Sequence, residues 1–400
     1  MTRPRTIIVT DGEQRAALAT VRSLGRTGYR CVVVSSSRPS LAGTSRFVAK
    51  SYCVPDCLKQ PVEFANSLVA LAAAEKADLV LPVSEAAILA LLPIRDRLRP
   101  AEIPFPELSQ FEAISDKRRL LSEASRLGIS VPLQYVLEKP GDLESLNLDG
   151  VGFPMVIKPA RSVNGHAGAR TKFTVSYATN AADLLRKVSR ASPQSFPLLL
   201  QQRISGPGIG IFLLLWSGET RAQFGHKRLC EKPPSGGISV YRESVAVDSE
   251  LAARSRALLE SFRWQGVAMV EYKRDQRTGA TYLMEINGRL WGSLQLAIDA
   301  GVDFPTLLVR SALNESVTPQ LEYGLGVRSR WWWGQVDHLI GRARRKAHTP
   351  PLPTGTRSAG RVVGDMVLGM FRAQDYEEIL RWNDPAPFAT ETLQWITALR

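Results

Sequence analysis

The chain has 400 residues, of which 44% are hydrophobic and 22% charged, and its 51 Lys and Arg outnumber 38 Asp and Glu for a net charge of +13. That balance excludes a disordered or fibrous protein and predicts two or three globular domains. No apolar run is long enough to span a bilayer: the richest is "IFLLLW" (211–216). "MTRPRTIIVTDGEQ" at the start has no signal-peptide core, so cytoplasmic residence is expected. Four cysteines do not make a disulfide framework in a chain of this length. Cys53 and Cys57 lack the second pair that a zinc site requires.

In chain order, "TIIVT" (6–10) reads as a strand, followed by a helix from about Glu13 to Thr27. "CVVVSS" (31–36) is a second strand, a helix spans about 61–76, and "DLVLPV" (78–83) is a third strand. Strands alternating with helices predict a parallel, Rossmann-like sheet with right-handed crossovers. The turn after the first strand reads "TDGEQRAA" (10–17), so the G-x-G-x-x-G dinucleotide fingerprint is missing.

Near residue 115 the character changes. "SDKRRLLSEASRLGISVP" (115–132) predicts a basic amphipathic helix ending at Gly128. From Phe153 onward the chain runs through "FPMVIKPA", a glycine-bearing loop, "LLLQQRI", "GIFLLLW", "AQFGHKRL", "GVAMVEY" and "TYLMEI", with helices near 180–190 and 249–262. This predicts an α+β unit. After about residue 320 the pattern fades into Pro- and Arg-containing segments and a short helical tail. The aromatic, basic stretch "RSRWWWGQVDHLIGRARRK" (328–346) either packs at least one tryptophan on the core or lies on an anionic membrane surface.

Three segments can carry chemistry. Lys158 near the end of "FPMVIKPA" either snorkels to water or serves an anion. The loop that follows, "RSVNGHAGAR" (161–170), has small residues whose backbone amides can approach phosphate oxygens. His166 within that loop reads as an exposed loop residue, not a catalytic one. "GVAMVEYK" (266–273) places Val267, Met269 and Glu271 on one strand face, and "YLMEINGRLWGS" (282–293) aims Leu283, Glu285 and Asn287 one way. If the two strands pair, Glu271, Glu285 and Asn287 gather hard oxygens of the kind magnesium takes. The competing reading is that the two acids pair with arginines of a basic protein, although neither has a neighbour in obvious pairing register.

The ordered set Lys117 in "SDK", Lys158 in "VIKPA", "LLLQQRISG", "VEYK" and "MEINGRLWGS" resembles the ATP-grasp superfamily, in particular its carboxylate–amine ligase-like (carbamoyl-phosphate-synthase-like) members, over roughly residues 1 to 310. The resemblance implies an α/β, Rossmann-like preATP-grasp domain (1–114), a two-subdomain α+β ATP-grasp domain (115–315) with a mobile flap at about 161–169, and a basic, Trp-containing extension (316–400). It further implies ATP, with Mg2+ (Mn2+ as substitute), small carboxylate and amine substrates, and ligation through an acylphosphate with release of ADP and phosphate.

Carried over to these positions, the resemblance gives Lys117 and Lys158 to the ATP phosphates under a flap with Gly165 and Gly168. Gln201, Gln202 and Ile204 would line the adenine pocket. Glu271, Glu285 and Asn287 would hold the metal. Arg289 would face the acceptor carboxylate or the transferring phosphate, and Arg228 in "HKRLCEKPPSGG" (226–237) would complete the triphosphate and substrate pocket. The chain departs from the pattern after the hinge, where "SGPGIGIF" has no acid for the ribose, and at Gln202, where relatives often carry glutamate. Two other classes remain: an ATP-binding regulatory or scaffold protein without turnover, and a nucleic-acid binder. The second rests on charge alone, with no recognition motif, and is not expected.

Overall fold

The structure is a computed structural model that describes residues 3–147, 152–166, 168–345, 352 and 355–398. Its first layer is a parallel sheet of β1 (Thr6–Val9), β2 (Arg30–Ser35), β3 (Val48–Cys53) and β4 (Leu79–Leu81), in the order β3-β2-β1-β4. Ile7, Ile8, Val9, the run Val32, Val33, Val34 and the run Leu79, Val80, Leu81 are fully buried. Unbroken apolar runs of this kind are what a parallel sheet covered on both faces requires. Helices Arg15–Arg26, Pro61–Ala74 and Glu85–Leu91 belong to this unit. β3 is the strand the sequence does not announce: "VAKSYC" mixes polar and apolar residues because it forms the sheet edge and is mostly accessible.

The helix Lys117–Arg126 follows, capped by the Asp116 carboxylate, which accepts from the Arg118 amide at 3.0 Å, and closed by Gly128 at φ +72°. Such a φ costs glycine nothing and ends the helix as the sequence predicts. Next come β5 (Gln134–Leu137), β6 (Met155–Pro159), the hairpin β7 (Val163–His166) and β8 (Ala169–Lys172), β9 (Ser176–Ala178) and β10 (Leu198–Gln201). Four of these form an antiparallel sheet, β5-β10-β6-β9, whose core of Leu137, Met155, Ile157, Leu198 and Leu200 meets Leu184 and Val188 of helix Ala181–Ser189.

The largest layer has seven strands: β11 (Gly208–Trp216), β12 (Glu219–Lys232), β13 (Ile238–Ser244), β14 (Gly266–Arg274), β15 (Thr281–Asn287), β16 (Arg328–Arg330) and β17 (Asp375–Glu377), ordered β15-β14-β11-β12-β13-β16-β17. All pairs are antiparallel except β16 with β17. Two α+β layers behind a parallel α/β layer match the architecture expected from the sequence.

The segment after residue 320 is more ordered than its sequence suggests. β16 and β17 lie in the large sheet, and helices Trp332–Ala343, Ala359–Gly369 and Ala386–Ala398 pack around them. Asp384, buried, binds the buried Arg22 (Nε to Oδ2, 2.8 Å), the Ser45 hydroxyl (2.7 Å) and the Arg46 amide (2.9 Å), all in the first α/β unit. None of the three adjacent tryptophans is fully buried. Trp331 lies under the Arg15 guanidinium at 4.0 Å and donates to Glu391 at 2.7 Å. Trp333 stacks on Trp395 at 4.1 Å. The aromatic run thus spends its faces on contacts within the chain. No helix among the described residues is long and apolar enough to cross a membrane.

Candidate functional site

β14 and β15 bring the expected acids together. Glu271 and Glu285 are direct cross-strand partners, as are Met269 and Asn287. A register shift between Glu271 and Tyr272 pairs Leu283 with Tyr272, so Leu283 turns to the opposite face and does not share the site face with Glu285 and Asn287 as strict alternation predicts. Asn287 donates to Glu285 at 3.2 Å and accepts from Arg289 at 3.0 Å.

Each acid has a cationic partner. The Lys117 ammonium lies 3.6 Å from Glu285 and donates to Ser162 at 2.9 Å. The Arg228 guanidinium lies 2.6 Å from Glu271 and 3.0 Å from Glu231. The sequence shows no such register partner because Arg228 sits on β12, two strands from Glu271. It spans β11 where that strand carries Gly208: a Cβ there would stand 2.8 Å from Arg228 Cδ. With neighbouring strands about 4.8 Å apart, that is a reach of roughly 10 Å. Arg228 is therefore a partner of Glu271 and Glu231 at the side of the site, rather than a group standing free for a phosphate.

The electrostatics divide the two acids. Burial raises the Glu271 carboxyl, and Arg228 opposes the rise. Burial would raise Glu285 too, but Lys117 and Lys158 outweigh it and hold this carboxyl at about 2, ionised at any working pH. Lys158, at the buried end of β6, is pulled by burial down to about 8 against the attraction of Glu285, with Lys117 adding to the fall. Between that value and the ordinary 10.5 the folded chain holds fewer protons than the unfolded one, so this group makes stability rise with pH across that window. A polyphosphate needs the charged form, so Mg-ATP affinity should fall as pH passes 8, approaching tenfold by pH 9. Dissociation constants at pH 7 and 9 check this, and Lys158→Arg, charged throughout, should flatten the dependence.

A cleft opens among Lys117, Ser162, Glu285, Asn287, Arg289 and Glu85. Glu85 is the site residue that sequence reasoning missed. Its signal was its place just beyond β4, at the carboxyl end of a parallel strand, where α/β sheets bind ligands. Burial raises its carboxyl, with Arg289 and Lys117 opposing. The expected flap is the β7–β8 hairpin, in which a Cβ on Gly165 (φ +137°) would meet the Ala169 carbonyl at 2.5 Å. Gly168 faces open space, so its lack of a side chain is not sterically required. The hairpin is tied to the first domain by the Arg170 amide, which donates to the Leu58 carbonyl at 2.7 Å. Ala167 and the His166 side chain lie outside the described residues.

The hinge residues stand apart from this cleft. Gln201 is buried and its amide donates to Gln134 at 3.1 Å; the Gln202 amide donates to the Leu133 carbonyl at 2.8 Å; Ile204 is buried. The first two hydrogen-bonding groups are thus engaged within the sheet.

Two carboxylates and one amide oxygen are hard donors suited to Mg2+. Among the described residues no group of three His, Cys, Asp or Glu side chains could hold a metal alone. The set therefore fits an ion that takes its other ligands from phosphates and water, and suits a closed protein cage poorly.

Comparison with known proteins bears on the fold. Residues 194–332 match the family described as ATP-grasp in the biosynthetic pathway with Ter operon. No curated protein matches the chain. Similar solved structures include an L-amino acid ligase from Bacillus licheniformis (16% identity, TM-score 0.61, covering 80% of this chain and 78% of that one). Another is N5-carboxyaminoimidazole ribonucleotide synthetase in its ADP complex (16%, 0.62, 82% and 81%). A third is the biotin carboxylase of Campylobacter jejuni in complex with a β,γ-ATP ligand (16%, 0.64, 82% and 74%). At such identities the likeness is one of fold. The family match covers residues 194–332, about a third of the chain, and over about four-fifths of its length the chain shares the fold of these enzymes.

Proposed function

We propose that the protein is an ATP-dependent, ADP-forming ligase that phosphorylates a carboxylate to an acylphosphate and joins the acyl group to an amine. The observation that carries this reading is the register pair Glu271–Glu285 set against Lys117, Lys158 and Arg289 beside one cleft. The solved structures similar to it include an amino acid ligase, a carboxyaminoimidazole ribonucleotide synthetase and a biotin carboxylase, which supports the same class of chemistry.

Phosphoryl transfer asks little covalent work of a protein; positioning and charge supply the catalysis. Lys117 and Lys158 balance the triphosphate charge. Arg289, steered by its bond to Asn287, faces the carboxylate that attacks or the phosphoryl group that moves. Glu271, Glu285 and Asn287 would hold Mg2+, which would supply neutralising charge for the phosphate oxygens. The β7–β8 hairpin, docked on the first domain, keeps water from the acylphosphate until the amine arrives.

The test is phosphate release from Mg-ATP over crossed panels of carboxylates and amines. Release that requires one member of each panel is the expected result. Tight nucleotide binding without release from any pair would instead indicate an ATP-binding regulator.

A further inference from the structure

The cleft beside Lys117 continues into a second cavity through Glu85 and Ser115, which line both. This second cavity lies between the first domain and the flap hairpin. Leu89, Pro93, Leu108 and Val163 give it an apolar lining. Its charged groups are Glu85, Glu112, Arg161 and Arg170. Three of these are engaged. The Arg161 guanidinium lies 3.9 Å from Glu112 and 3.7 Å from Asp116. Arg170 donates to the Leu89 carbonyl at 3.2 Å.

Glu85 differs. No donor among the described residues hydrogen-bonds its carboxylate, although it is half-buried at the junction of the two cavities. An accessible carboxylate with no partner of its own, at the mouth of an apolar recess, is open to a ligand that brings a donor with it. The facing charges are Lys117 and Arg289 on the phosphate side, with Glu285 and Lys172 beyond. Lys117 and Arg289 act on Glu85 by charge without hydrogen-bonding it, so the group its carboxylate can still take is an N–H donor.

We infer that Glu85 receives the amine substrate and that the second cavity holds its apolar body, so the acceptor class is a primary amine bearing an aliphatic group. This rests on the ligase reading and narrows it. An entering ammonium gives one proton to the Glu85 carboxylate. Its nitrogen then attacks the acylphosphate carbonyl carbon, the C–N bond forms as the C–O bond to phosphate breaks, and a second proton leaves with the phosphate. Burial lifts the Glu85 carboxyl above its ordinary value, which favours its taking up that proton.

The full chain, saturated with Mg2+ and a non-hydrolysable ATP analogue, is titrated calorimetrically with three probes: L-leucinamide, glycinamide and 4-methylpentanoate. The expected order is leucinamide at least about tenfold tighter than either other probe, since glycinamide lacks the aliphatic body and 4-methylpentanoate lacks the amine. Glu85→Gln should erase the advantage over 4-methylpentanoate, and Leu89→Ser the advantage over glycinamide, with analogue binding reporting that each variant is folded. Equal affinity for the three probes, or no leucinamide binding to a protein that binds the analogue, overturns the inference and leaves the ligase reading standing. Failure of the analogue itself to bind removes the ligase reading and the inference with it.

Discussion

Glu285→Gln is expected to lower ATP-dependent turnover about a hundredfold while leaving the fold intact. The substitution keeps size and hydrogen bonding, including the amide contact from Asn287, and deletes the one carboxylate that Lys117 and Lys158 hold ionised. A hard cation prefers anionic oxygen, and losing one such contact in the transition state costs on the order of 3 kcal/mol, or two decades in rate. Stability should suffer little. The Lys117 contact is long at 3.6 Å, and Lys117 keeps Ser162 as a partner. Initial rates of phosphate release and a thermal melt decide the matter together. Wild-type turnover with a lowered melting temperature would mean that Glu285 merely neutralises lysines.

The second large effect is structural. Asp384→Ala should destabilise the protein by about 3–5 kcal/mol, because it strands the buried Arg22 charge without its counter-ion. Desolvation already lowers the Arg22 guanidinium below its ordinary value, with Asp384 the main opposing influence. The same change unbonds the Ser45 hydroxyl and the Arg46 amide. For a chain of this size the melting temperature should drop by roughly 5 °C. Replacing both partners, Arg22→Met with Asp384→Ala, should cost less than the two single changes added together, since no unpaired charge remains. Additive losses in that cycle would show that the pair does not couple the C-terminal segment to the first domain.

Much of the fold is written in local patterns. Ile7 to Val9, Val32 to Val34 and Leu79 to Leu81 can be read because a strand buried on both faces must be apolar throughout. Asp116 and Gly128 can be read because caps act within one turn. The strands that escape notice are those held by distant partners. "RSR" of β16 looks like solvent-facing chain, yet Arg330 is buried against Asp375, 45 residues on. Arg242 on β13 is buried against Glu378, 136 residues on. A polar strand whose counter-charge lies that far away carries no periodic signal. At the site, Lys117, Lys158, Glu271, Glu285, Asn287 and Arg289 come together as the motif order implies. The pairing of Glu271 with Arg228 was hidden because it crosses Gly208, and a sequence does not show which residue is absent between two others in space.

The position of β16 and β17 has a consequence for how the protein is made. They cover β13, which is otherwise the outer strand of the large sheet, and both are translated well after β15. At ordinary rates of synthesis, roughly ten seconds separate the emergence of β15 from that of β17. During that interval the nascent sheet presents the unpaired amides and carbonyls of β13 to its surroundings, a template for pairing with other chains. A ribosome that stalls after residue 320 would therefore release an adhesive intermediate, so a shortened version ending there should accumulate as aggregate and burden the cell's chaperones.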